Sequence, residues 1–113
     1  MSWHTWILLG LLAGCTTHQD DLRRANDAFS AARYEEVEVW LYDLEPELGR
    51  MSVEERAGYF YLAGMSAYRI GHRARAKHAL ALCREESLRV PGFSAQWLHN
   101  MHSALDDLEG LKR

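Results

Sequence analysis

Histidines, cysteines and adjacent carboxylates are the residues of this 113-residue chain whose types could do chemistry. His99 and His102 stand three apart in a helix-forming stretch, with Asp106 four residues beyond His102. Such spacing can bring all three to one helix face, where imidazole and carboxylate groups could hold zinc or copper. No fourth ligand is identifiable, and a closed zinc site needs four. The reading is therefore a surface histidine pair and no metal. His72 and His78 sit among basic residues and read as a solvated face. Neither His-Glu-x-x-His, Cys-x-x-Cys nor Gly-x-Ser-x-Gly occurs, and no glycine-rich loop follows a strand. The neighbouring acids Glu35 and Glu36, Glu54 and Glu55, and Glu85 and Glu86 diverge around a helix instead of converging on a substrate. No catalytic residue, enzyme activity or small-molecule substrate is expected.

Composition narrows the classes further. Thirteen basic side chains against sixteen acidic ones leave a net charge of −3, with no surplus to neutralise a phosphate backbone. Nucleic acid is therefore not an expected partner. Hydrophobic residues at 48% and charged residues at 26% are those of a folded domain, and the length allows only one.

Residues 6–13 (WILLGLLA) form an apolar run too short to cross a bilayer, which takes roughly 20 helical residues. The run matches the hydrophobic core of a secretory leader. Its ending, Leu12-Ala13-Gly14-Cys15, resembles the lipobox of bacterial lipoproteins. The resemblance implies that residues 1–14 are a signal peptide, removed with His4. Cys15 then becomes the lipidated N-terminus, its covalent lipid being the only prosthetic group. Thr16, standing where an aspartate would favour retention, implies the outer membrane with the domain facing the periplasm. Residues 15–19, including His18, read as a short tether and residues 20–113 as the folded domain. Acylation of Cys15 leaves Cys83 as the only thiol, on a face of small and apolar residues that reads as buried.

The expected fold is all-α, with about five antiparallel helices. Alanine, leucine, arginine and glutamate dominate from Asp20 onward, and no alternating β-branched run occurs. The helices are placed at 20–32, 34–48, 52–70, 73–89 and 94–109. Pro46 is expected to end or kink the second, and Gly49 to supply a left-handed stop. Ser52-x-x-Glu55 is a capping box opening the third, and Gly71 ends it. Pro91 and Gly92 follow the fourth. The short connections call for antiparallel neighbours.

Two stretches align: Ala25-x-x-Ala28-Phe29-x-x-Ala32-x-Tyr34-x-x-Val37 and Gly64-x-x-Ala67-Tyr68-x-x-Gly71-x-Arg73-x-x-Ala76. This pattern resembles the tetratricopeptide repeat. There a small residue on the first helix, a glycine before the turn and an alanine on the second let two helices nest. Gly64, Gly71 and Ala76 match those positions closely, and Ala25, Ala32 and Val37 loosely. Leu41 and Leu80 fall at the next large apolar slot. The units are 39 residues apart, against about 34 in the family. The last helix is expected to act as a terminal cap.

Residues 35–55 are acidic apart from Arg50, whereas Arg69, Arg73, Arg75, Lys77, Arg84 and Arg89 make the fourth helix and its entry basic. The simplest expectation is that these helices complement each other across the fold. Tyr59, Phe60, Tyr61 and Tyr68 crowd the third helix more densely than one buried stripe absorbs, so some must be exposed or covered by another element. A partner-binding surface is therefore expected at Tyr61 and Tyr68 with Arg73 and Arg75, tyrosine and arginine being frequent interface anchors. By resemblance, the chain would be a non-enzymatic adaptor or assembly factor for a cell-envelope protein complex. The alternatives are an immunity or exclusion lipoprotein, and a periplasmic metal-binding protein using His99 and His102.

Overall fold

Every regular element among the described residues, 17–111 of the computed structural model, is helical. The expected signal peptide and Cys15 lie outside the described residues. Five α-helices follow in order: α1 (Thr17–Ser30), α2 (Tyr34–Leu44), α3 (Val53–Arg69), α4 (Arg73–Ser87) and α5 (Ala95–Leu108). A 3-10 helix (Glu45–Arg50) joins α2 to α3.

Two boundaries correct the sequence reading. Residues 17–19, expected in the tether, belong to α1, where the ring of His18 meets Glu55 of α3 at 2.9 Å. Helix α2 stops at Leu44, not at 48, because Pro46 has no N–H to offer the Tyr42 carbonyl four residues back. That carbonyl instead accepts from Glu45 N–H, and the chain tightens into the 3-10 helix. Gly49 lies inside this segment and is not left-handed; positive φ among the described residues belongs to Ala32, Gly71, Gly92 and Gly110.

The capping box forms as the sequence requires. Ser52 Oγ accepts from Glu55 N–H at 3.1 Å, and Glu55 Oε1 accepts from Ser52 N–H at 2.9 Å. Ser94 caps α5 in a simpler way, accepting from Trp97 N–H.

Three helices end in the same backbone knot. In α1, Arg33 N–H reaches the Ala28 carbonyl and Ala32 N–H the Phe29 carbonyl. In α3, His72 N–H reaches Ala67 and Gly71 N–H reaches Tyr68; in α5, Leu111 N–H reaches Asp106 and Gly110 N–H reaches Asp107. Each is a left-handed C-terminal cap that satisfies otherwise orphaned carbonyls. The left-handed residue is Ala32 (φ 59°), Gly71 (φ 86°) and Gly110 (φ 75°) in turn. These positions stand 39 residues apart both times, so α5 repeats the ending of α1 and α3.

Helices α3 and α4 fold back on each other. Gly64 faces Leu80, the Cys83 thiol meets the Ala57 carbonyl at 3.5 Å, and Arg56 pairs with Glu86. Each step toward the start of α3 is thus a step toward the end of α4. A Cβ on Gly64 would stand 2.5 Å from Leu80 Cδ2 and 3.1 Å from the Leu80 backbone nitrogen. Only a hydrogen at that position allows such an approach. The core gathers Ala25 and Ala28 of α1, Val37 and Leu41 of α2, Tyr61 and Met65 of α3, Leu80 and Cys83 of α4, and Met101 and Leu105 of α5. Cys83 is fully buried, and that burial pushes its thiol pKa up to about 12.

Candidate partner-binding surface

The third helix carries its aromatics in three directions. Tyr59 is buried toward α2, where its hydroxyl donates to the Leu41 carbonyl at 3.1 Å. Tyr61 points toward α5. Its ring lies 4.0 Å from that of Trp97, nearly parallel, and edge-on to Phe29 of α1. Its hydroxyl accepts from Asn100 Nδ2 at 3.1 Å. With 1% of its surface exposed, Tyr61 is a core residue covered by α5. This corrects its expected place in a partner-binding surface: stacking on Trp97 removes more apolar area from water than exposure would.

Tyr68, seven residues beyond Tyr61 on the same face of α3, is half-buried and packs against the edge of the core. Its hydroxyl donates to Asp107 Oδ2 at 2.8 Å. Arg73, from the first turn of α4, reaches the same carboxylate at 3.3 Å and the Asp107 carbonyl at 3.1 Å. A guanidinium on a terminal carbonyl complements the negative end of α5. Asp107, accepting from Tyr68 and Arg73, has its carboxyl held below the ordinary value. The Tyr68 hydroxyl is raised, chiefly because it donates to that carboxylate and secondarily by burial. Tyr68 and Arg73 therefore come together, with Asp107 as their common partner.

Arg75 does not join them. Its guanidinium donates to Glu38 of α2, and His72 Nδ1 stands 3.7 Å from the other oxygen of the same carboxylate. The acidic second helix and the basic fourth helix thus meet through Glu38. All these groups are solvent-accessible enough that the pairs orient helices more than they stabilise them.

Between α3 and α5 runs a shallow cleft of about 230 Å³, lined by Met65, Tyr68, Arg69, Asn100, Ser103 and Ala104. Its accessible lining is mainly polar: Met65 and Ala104 are buried beneath it, Tyr68 forms one edge, and Arg69 and Ser103 are exposed.

His99 and His102 are both exposed on α5, and no group of three metal-binding side chains exists among the described residues. The repeat accounts for this face. Positions on α5 corresponding to Ala57, Phe60 and Gly64, which lie along α3, are Gln96, His99 and Ser103, all exposed. Polar residues suit a helix face that no further helix covers.

Sequence reasoning placed Trp97 on the buried face of the fifth helix, as found, but assigned no role to Asp107, Asn100 and Glu38. One signal was available for two of them. Tyr61 and Asn100 are separated by 39 residues, as are Tyr68 and Asp107. Each tyrosine bonds to its counterpart in the next copy of the repeat. Comparison with known protein families, curated proteins and solved structures finds no match to this chain.

Proposed function

We propose that this chain is a membrane-anchored, non-enzymatic binding module of the tetratricopeptide-like kind, tethered through acylated Cys15 to the periplasmic face of the bacterial outer membrane. In this role it serves as an adaptor or assembly factor for a cell-envelope protein complex. The observation that carries the reading is the recurrence of one helix ending at Ala32, Gly71 and Gly110, which extends the aligned hairpins into a third, partial copy. Stacked copies present the first helix of each hairpin side by side, and the cleft between α3 and α5 lies on that side. Its partner is a protein segment with an acidic group for Arg69 and a side chain that packs on the ring of Tyr68.

The test uses full-length protein produced in bacteria, with a photo-crosslinking amino acid in place of Ser103, which is exposed in the cleft and leaves Arg69 intact. Palmitate should label the protein, and irradiation should yield one discrete adduct. Cys15→Ser should abolish the label, and Tyr68→Ala should diminish the adduct while helicity persists. A chain that never takes palmitate, or that yields no adduct at position 103, overturns the reading.

A further inference from the structure

Contacts at one end of the helical bundle connect the start of α1 to the exit of α4. His18, in the first turn of α1, bonds to Glu55 at 2.9 Å, in the first turn of α3. The next residue, Arg56, donates to Glu86 at 3.3 Å and to the Met51 carbonyl at 2.7 Å. Two residues beyond Glu86 stands Leu88, the most exposed large hydrophobic side chain among the described residues at 84%. Glu54, in that same first turn of α3, lines a cleft with Val90, Pro91, Phe93 and Trp97. The entry of α1 and the connection between α4 and α5 are therefore at the same end.

Cys15 stands two residues before Thr17, where α1 begins, so a lipid on it is attached next in sequence to this end. An acyl chain on Cys15 would hold this end, and not the end with Tyr68, Arg73 and Asp107, against lipid. Two connections compete for that contact. The 3-10 link, Glu45–Arg50, carries Glu45 and Glu47 against one arginine. Residues 88–93 (LRVPGF) carry no acid, one arginine and five residues that are apolar or glycine. Acidic side chains are repelled by anionic headgroups, whereas apolar side chains beside a single arginine enter the interface readily.

We propose that residues 88–93 form a bilayer-contacting edge, exposed Leu88 and Pro91 entering the interface and Arg89 meeting lipid phosphates. The lipid on Cys15 and this edge act as two attachment points, which fix the domain's tilt as well as its location. A lipid on Cys15 holds the domain at the membrane through a single point and leaves its tilt free, so a second contact is consequential. The inference rests on the acylation of Cys15 in the reading above. It adds that the cleft between α3 and α5 is held at a set angle to the membrane.

The experiment places nitroxide labels singly at Leu88→Cys, Gly49→Cys and Ala74→Cys in the full-length, lipidated chain. The labelled proteins are reconstituted in vesicles of phosphatidylethanolamine and phosphatidylglycerol. Buried Cys83 stays unlabelled. The label at 88 should be relaxed more by oxygen than by a water-soluble nickel complex, with the reverse at 49 and 74. In the chain without labels, vesicles should slow amide exchange at residues 88–93, and Leu88→Glu should restore it. A water-exposed label at 88 together with unprotected amides overturns this edge while leaving the anchor intact. Absence of palmitate on Cys15 overturns the anchor and the edge together.

Discussion

Gly64 and Leu80 pack so closely that α3 and α4 have no space for a methyl group between them. A Cβ at position 64 would overlap the Leu80 side chain at 2.5 Å and press on its backbone nitrogen at 3.1 Å. The leucine can rotate away, but the backbone behind it moves only with the helix. Gly64→Ala should therefore destabilise the domain by about 1–3 kcal/mol in urea unfolding, the range for overpacked cores. Gly49 meets nothing within 4 Å and is not left-handed. Gly49→Ala should be neutral or slightly stabilising, which separates lost space from lost glycine.

Ala32 occupies the left-handed slot that Gly71 and Gly110 fill in the other two copies. A side chain in that conformation costs roughly 1–2 kcal/mol. Ala32→Gly should recover part of this and raise the urea midpoint, net of the greater chain entropy of glycine. Gly71→Ala should lower the midpoint by a comparable amount. Both effects are readable in one denaturation series, and a loss of stability in Ala32→Gly would contradict the repeat.

Tyr61 joins α1, α3 and α5 through Phe29, Trp97 and Asn100. Tyr61→Ala should cost about 3–5 kcal/mol, as for other buried aromatics. Tyr61→Phe keeps the stack and loses only the hydroxyl bond, at about 1 kcal/mol. Near-ultraviolet circular dichroism should change strongly in the first variant and little in the second.

The Tyr68–Asp107 bond gives the end of α5 a pH window. Asp107 has its folded pKa below the ordinary 3.8, so its contribution is present above that value and lost as pH falls through the folded pKa. Tyr68 has its folded pKa above 10.0, so its contribution is full below that value and lost as pH rises through the folded pKa. Carbon NMR titration should record both shifts. Asp107→Asn should bring the Tyr68 hydroxyl back toward its ordinary pKa, and Tyr68→Phe should raise that of Asp107.

Cys83 should resist thiol reagents in the folded domain at pH 8. Its thiol is fully buried and raised to about 12, leaving almost no thiolate to react. Reaction should appear only on unfolding, at the same urea concentration as the loss of helicity.

Local chemistry made much of this fold legible in the sequence. Ser52 and Glu55 are three residues apart and cap α3 by themselves, without help from elsewhere in the chain. Pro46 lacks an N–H wherever it stands, so the break in α2 follows from its type, though not the residue at which it falls. The match between Ala25, Ala28, Ala32 and Gly64, Ala67, Gly71 was visible because small residues are needed wherever helices cross closely. The third copy was not, because its ending retains the backbone conformation while Ala67 and Tyr68 give way to Asp106 and Asp107.

Tertiary structure alone decided which aromatics on α3 face inward. Tyr59, Phe60 and Tyr61 are consecutive and similar in type, and their fates depend on where α2 and α5 lie. It likewise decided that Tyr68 and Arg73 share Asp107, whereas Arg75 turns to Glu38. Charge and periodicity state that a helix face is basic or apolar. They do not state which other face it meets, because that depends on packing every helix into one core at once.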